Sequence, residues 1–142
     1  MEKIAWDKSL SVGIGLIDEQ HKALIKRLND VSVAIEANIG EREISKTLEF
    51  LTEYADHHFS TEEKHMTEHI YPGLEVQKVK HQEFMMTLKN MENDFEEEGS
   101  TRALSDSINI FLLNWLKTHI QTLDKAFGDF LSEKGVLIPE KE

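Results

Sequence analysis

Apolar residues recur along most of this chain in alternating steps of three and four, the spacing of one buried face on an α-helix. Four segments of roughly 20 to 30 residues carry this spacing. The breaks between them contain Gly or Pro, which end helices, and fall at Asn38-Ile39-Gly40, Tyr71-Pro72-Gly73 and Glu98-Gly99-Ser100. Such segments predict an all-α protein, an up-down-up-down four-helix bundle. We expect one domain over residues 1–142, with an N-terminal arm over about 1–16 and four helices over about 17–134.

Each predicted helix has an inward face that is apolar at one end and polar at the other. The polar residues on these faces are His21 in the first helix, His58, Glu62, His65 and His69 in the second, Gln77 and His81 in the third, and His119 in the fourth. Burying such groups without partners costs on the order of several kcal/mol each, and more for a carboxylate. These buried polar groups therefore need binding partners inside the bundle.

The direction of the chain brings these polar residues together. The first and third helices carry them near their starts, whereas the second and fourth carry them near their ends. In an antiparallel bundle, those four positions lie at the same end. Imidazoles and carboxylates without thiolates suit iron, zinc, manganese or copper. The sequence therefore predicts a polynuclear metal site buried inside the bundle.

Asp124 is a further candidate on the fourth helix. It follows His119 by five residues, which places it about 140° away around a regular α-helix. A single π-bulge would bring the two residues onto one face. The apolar residues around Asp124 fit two alternative buried faces of the helix. One face includes Asp124, and the other does not. Periodicity alone therefore leaves the place of Asp124 open.

Composition narrows the classes of function. With 27 Asp and Glu against 16 Lys and Arg, the net charge is −11, and this field disfavours nucleic acid and anionic lipid as partners. The chain has no Cys, which excludes disulfides and thiolate metal sites. We see no secretion signal and no apolar stretch long enough to span a membrane. The expected location is the cytoplasm.

Three spaced motifs carry a resemblance to a known family. They are the single His21 within IDEQHKAL, the HxxxE of His58 and Glu62 within HHFSTEE, and the HxxxxD of His119 and Asp124 within NWLKTHIQTLD. The arm IAWDKSLSVGIGLID, the segment EEKHM and the YPG turn extend the match over nearly the whole chain. The sequence resembles the hemerythrin family in its bacterial form, so we expect the single domain to be hemerythrin-like.

This resemblance implies a non-haem di-iron site that binds dioxygen. The implied ligands are His21 and His58 for the iron at which oxygen binds, His81 and His119 for the second iron, and Glu62 and Asp124 as bridges, together with an oxo or hydroxo group. The family also has an apolar oxygen pocket, whose lining keeps water and protons away from the bound ligand. The residues that match this lining are Leu24, Phe59, Leu116 and Ile120.

The sequence departs from the family pattern at Gln77. The family has HxxxH in the third helix, five and nine residues after the proline of the YPG turn, and counting from Pro72 gives Gln77 and His81. A glutamine carbonyl is a weaker ligand than imidazole for ferrous iron. Three outcomes stay open: Gln77 binds the iron through its oxygen, a water takes the position, or the second iron is weak or missing.

His65 offers a compensating hypothesis. It follows Glu62 by one helical turn on the same face. In an antiparallel pairing it would lie beside the start of the third helix, where it could ligate the second iron or hydrogen-bond Gln77. The alternative is a partly exposed histidine near a helix end.

Two classes of function follow. The favoured one is a non-haem di-iron protein that reversibly binds dioxygen for carriage, storage or sensing. The alternative is a di-iron redox enzyme, an oxidase, a peroxidase or a nitric-oxide-handling protein, whose second iron site is altered by Gln77. The expected ligand is dioxygen, with nitric oxide as a second candidate, and the sequence names no protein partner. Because no acid or base stands out beyond the ligands, a binding protein is preferred over an enzyme.

Overall fold

The computed structural model describes residues 5–99, 101–136 and 138, and no strand occurs among them. The four long helices are α1 (Gly15–Ala37), α2 (Glu41–Glu68), α3 (Leu74–Glu98) and α4, which runs continuously over residues 102–133. A short 3₁₀ turn, Lys8–Leu10, lies in the N-terminal arm. The predicted all-α four-helix bundle is confirmed. Residues 1–4 of the predicted arm, and Ser100 of the third predicted break, lie outside the described residues.

The ends of the helices are set by local backbone chemistry. α1 ends where Asn38 adopts the left-handed conformation (φ 48°), and its N–H bonds to the carbonyl groups of the last turn. α4 begins after Thr101, whose hydroxyl accepts a hydrogen bond from the N–H of Leu104 at 3.0 Å. The connections between consecutive helices are short. α1 packs against both α2 and α4, and α2 packs against α3.

α4 alternates between α- and π-helical geometry. Its α-helical parts are Arg102–Ser107, Asn114–His119 and Lys125–Glu133, and its π-helical parts are Ile108–Leu113 and Ile120–Asp124. The second π-helical part lies between His119 and Asp124, where the spacing requires a bulge. It turns both side chains inward, since Asp124 is 2% exposed and His119 is 4% exposed. Asp124 therefore lies on the inward face of α4 together with His119, a placement that periodicity alone left open.

The N-terminal arm packs along the bundle and is fastened at two points. The carboxylate of Asp18, in the first turn of α1, accepts hydrogen bonds from the Ser11 hydroxyl at 2.6 Å and the Val12 N–H at 2.9 Å. Gly128 on α4 lies so close to the arm that a Cβ there would sit 1.9 Å from the Val12 carbonyl oxygen. Glycine is required at this position because any side chain would displace the arm.

Candidate metal centre

Two buried groups of potential ligands lie side by side within the bundle. Their members are His21, His58, Glu62 and Asp124 in the first group, and His81, His119 and Asp124 in the second. Within each group, the nitrogen and oxygen atoms that can bind a metal all lie within 4.8 Å of one another. Asp124 belongs to both groups. The structure therefore brings six of the predicted ligands into one layer, in which no side chain is more than 4% exposed.

The two carboxylates lie between the imidazoles of the two groups. Asp124 points Oδ2 at His21 Nε2 over 3.0 Å and Oδ1 at His119 Nε2 over 3.2 Å. Glu62 points Oε2 at His21 Nε2 over 3.5 Å. Its Oε1 faces His58 Nε2 at 3.1 Å and His81 Nε2 at 3.4 Å. Each carboxylate thus presents oxygens to imidazoles of both groups, which is the placement that a bridging ligand requires.

The buried polar atoms of this layer fit bound cations. Among the described residues, the buried atoms here that make no hydrogen bond are both ring nitrogens of His21, Nε2 of His58, His81 and His119, both carboxylate oxygens of Glu62, Oδ2 of Asp124 and Oε1 of Gln77. Each such atom costs roughly 1–3 kcal/mol if it stays without a partner. All four histidines direct Nε2 inward, toward the two carboxylates. A pair of metal cations would satisfy this donor set.

The charges of the layer also favour cations. Burial raises the pKa of Glu62 by itself, but the neighbouring imidazoles, above all His58, outweigh it and hold the pKa well below its usual range. The pKa of Asp124 is also lowered, by its neighbouring histidines against burial and the charge of Glu62. Burial lowers the pKa of His58, whereas the two carboxylates overcome burial and raise the pKa of His21 to about 9. Two anionic carboxylates therefore stand in a dry interior, where metal cations would neutralise them.

Two further residues orient the imidazoles. The Oε1 atom of Gln20 lies 2.9 Å from Nδ1 of His58, and Oε2 of Glu63 lies 2.7 Å from Nδ1 of His81. An acceptor at Nδ1 keeps the ring proton there and leaves Nε2 free for a metal. Sequence reasoning missed both residues. Each metal-binding histidine needs such a partner. The sequence offers one indication: Gln20 directly precedes His21, and Glu63 directly follows Glu62.

Gln77 lies in the same buried layer. Its side chain is buried, and Nε2 donates a hydrogen bond to Asp124 Oδ1 at 3.0 Å. This is the carboxylate oxygen that faces His119. The amide oxygen of Gln77 makes no hydrogen bond among the described residues. The amide therefore stands beside the second group of ligands, at the position predicted to depart from the family pattern.

His65 lies outside the buried layer. Its Nδ1 is 3.7 Å from Glu68 Oε2, and its side chain is 15% exposed. The potential ligand atoms near it belong to Glu68 and His69, at the end of α2. The hypothesis that His65 ligates the second iron therefore gives way to the alternative of a partly exposed histidine near a helix end. One turn beyond Glu62 already carries the side chain past the layer.

Aromatic and apolar side chains enclose the layer. The four residues expected to line an oxygen pocket are all buried, namely Leu24, Phe59, Leu116 and Ile120. The ring of Phe59 stacks on that of His81, with centroids 4.1 Å apart and planes 13° apart. Trp115 stacks on His119 at 4.5 Å and 9°. A surface cavity of about 330 Å³ borders Trp115, His119 and Lys80. The second group of ligands thus adjoins a surface opening at His119.

Four imidazoles and two carboxylates buried among four helices define a class of protein, the helical bundle built to hold metal cations. Residues 12–131 match the family described as hemerythrin HHE cation binding domain. The chain belongs to the hemerythrin family. The predicted family is therefore confirmed. The predicted cofactor, two irons with dioxygen as ligand, is that of this family, and the buried groups of the chain are able to hold metal.

Individual relatives agree over most of their length. The chain is 29% identical over 129 residues to a bacteriohemerythrin of Stenotrophomonas maltophilia (strain R551-3), covering 91% of this chain and 82% of the relative. It is 31% identical over 123 residues to a myohemerythrin of Theromyzon tessulatum, covering 87% and 89%. A crystal structure of wild-type hemerythrin superposes with a TM-score of 0.80 at 27% identity, covering 91% of this chain and 98% of that chain. In the described part of the chain, no helix is both long and apolar enough to cross a membrane.

Proposed function

We propose that this protein is a non-haem di-iron protein that binds dioxygen reversibly, in carriage, storage or sensing. The observation that carries the proposal is the pair of buried ligand groups that share Asp124. Membership of the hemerythrin family supports it. We propose the cytoplasm as its location, because a reducing compartment keeps iron ferrous.

The proposed ligand set follows the two groups. It consists of His21 and His58 for the first iron, His81 and His119 for the second, Glu62 and Asp124 as bridges, and Gln77 beside the second iron. These residues would hold two ferrous ions, which would supply reversible two-electron chemistry toward dioxygen. The surrounding side chains would set the geometry, charge and water content of the site.

The protein orients the imidazole ligands, supplies negative charge and keeps water out of the site. Gln20 and Glu63 hold the Nδ1 protons of two imidazoles, so that Nε2 of each faces inward. The two carboxylates balance part of the charge of two divalent ions. The buried rings and aliphatic side chains exclude water, and water exclusion limits the proton transfer that would make oxygen binding irreversible.

Two observations favour a second candidate, a di-iron redox enzyme of the oxidase, peroxidase or nitric-oxide-handling kind. The first is the buried amide of Gln77 beside Asp124, at a position where we expect an imidazole in the family. The second is the cavity of about 330 Å³ that reaches His119, with Lys80, Thr118 and Thr122 on its wall. A small molecule in this cavity would approach the second iron from outside the bundle. Turnover there would distinguish an enzyme from a carrier.

A visible absorption titration tests the proposal. Protein loaded anaerobically with ferrous iron is nearly colourless, and we expect an absorption band to appear with oxygen and to fade when oxygen is withdrawn. A His58→Gln variant, which lacks one proposed ligand of the oxygen-binding iron, serves as the control and should lose the band. Colour that appears and never fades, with consumption of a reductant, would replace the carrier with the redox enzyme. A protein that holds no iron would overturn both.

A further inference from the structure

A separate group of potential ligands occupies the end of α2, outside the buried layer. It consists of His65, Glu68 and His69. The two histidines are four residues apart, so one turn of helix places them on the same side. The nitrogen and oxygen atoms that can bind a metal lie within 4.8 Å of one another in this group as well. Unlike the buried ligands, Glu68 is exposed, and both histidines are partly exposed.

The backbone holds the last of these residues in place. His69 caps α2, and its N–H bonds to the carbonyl oxygen of His65 at 3.1 Å. The chain then turns sharply, because Ile70 adopts a left-handed conformation with φ of 53°. The N–H groups of Ile70 and Tyr71 return to the carbonyls of Thr67 and Met66 at 3.2 and 2.9 Å. These bonds fix the helix end that carries the two imidazoles.

The donor set defines which ions it suits. Two imidazoles and one carboxylate are the ligands of late first-row divalent cations such as zinc, iron and copper, and they leave positions open for water. Neighbouring ligand atoms on such an ion stand about 3–3.5 Å apart. His65 Nδ1 already lies 3.7 Å from Glu68 Oε2, close to this separation, and the exposed side chain of Glu68 can adjust its position. The C-terminal end of a helix also carries partial negative charge, which favours a cation.

We propose that His65, Glu68 and His69 form a surface metal site that binds one divalent late first-row cation, in addition to the buried centre. The site lies one helical turn beyond Glu62, yet it shares no ligand with the buried groups. It does not depend on which metal the buried layer holds.

Calorimetric titration of the metal-loaded protein with Zn²⁺ tests the site. Wild-type protein should bind one Zn²⁺ per chain beyond the ions already present. His69→Gln and His65→Gln should each weaken this binding at least about tenfold, because loss even of a partner outside the ligand shell commonly costs that much. His57→Gln, the same change at an exposed histidine on the same helix, is the matched control and should bind as wild type does.

A second measurement separates the surface site from the buried centre. The metal content of the loaded variants should equal that of wild type before titration, since none of the changes replaces a buried ligand. Co²⁺ added in place of Zn²⁺ should give a visible band that Glu68→Gln weakens. Equal Zn²⁺ affinity in wild type, His65→Gln and His69→Gln would overturn the proposal, and so would the absence of an additional ion. Either result would leave the proposed oxygen-binding function untouched.

Discussion

Replacing Gln77 by histidine places an imidazole beside the second group of ligands, at the position predicted from the sequence to depart from the family pattern. In this structure the amide is 1% exposed. Its Nε2 donates to Asp124 Oδ1 at 3.0 Å, and the same oxygen faces His119 Nε2 at 3.2 Å. An imidazole of similar size in this place would face the second iron together with His81 and His119. We therefore expect Gln77→His to hold the second iron more tightly than wild type.

Two changes accompany the substitution. A supporting group beside a metal ligand typically changes affinity by about 10–100-fold, which is about 1.4–2.8 kcal/mol. In addition, Asp124 loses the hydrogen bond from the Gln77 amide, and a bond to a charged acceptor contributes roughly 1.5–3 kcal/mol. The variant lacks this hydrogen bond both with and without metal, so the loss cancels in the metal affinity, which keeps the gain from the new ligand. Without metal, the loss stands alone, so the metal-free variant should be less stable than metal-free wild type.

Anaerobic removal of ferrous iron by a coloured chelator measures the outcome. If the two irons are held unequally, iron leaves wild type in two phases, and Gln77→His should slow the faster phase about tenfold or more. Gln77→Met is the matched control, since it keeps the length of the side chain and has neither amide donor nor acceptor. It should accelerate the fast phase. Equal fast phases in wild type and both variants would refute the placement of Gln77 beside an iron.

Three further predictions rest on other parts of the structure. Glu63→Ala removes the acceptor at His81 Nδ1 and should weaken binding of the second iron about 10–100-fold, whereas Glu63→Gln, which keeps an acceptor, should stay near wild type in a metal-competition titration. Gly128→Ala should lower the free energy of unfolding in urea by about 1–3 kcal/mol, because the new Cβ would meet the Val12 carbonyl; unchanged stability would mean that the arm does not pack there. The raised pKa of His21, about 9, stabilises the metal-free fold at low pH. That stabilisation should be lost as the pH rises through about 9, and urea unfolding of His21→Gln should lack this component.

The sequence predicts the fold well because the information is local. The three-four spacing marks each inward face, and Asn38-Ile39-Gly40 and Tyr71-Pro72-Gly73 mark two of the breaks between helices. Chain direction then places the polar ends of all four helices together. The convergence of the six buried histidine and carboxylate residues is therefore accessible without a structure, whereas their ligation of iron stays a prediction.

Other features depend on how the helices are rotated against one another. The π-helical part Ile108–Leu113 has an almost wholly apolar sequence, so its periodicity gives no sign of a change in phase. Gln20 and Glu63 sit beside predicted ligands in sequence, yet the histidines they contact belong to neighbouring helices. His65 is instead a proposed ligand that lies outside the buried layer. It shares a face with Glu62, but the spacing alone does not tell where the buried layer stops.

Anomalous diffraction at the iron edge from crystals of the loaded protein would locate each bound iron and so test whether the buried layer holds two of them. We expect two iron peaks within the buried layer, one beside His21 and His58 and one beside His81 and His119, with Asp124 in contact with both. A single peak beside His21 and His58 would contradict the binuclear centre and assign Gln77 to an incomplete site. Peaks elsewhere on the protein, with none in this layer, would contradict the assignment of the site itself.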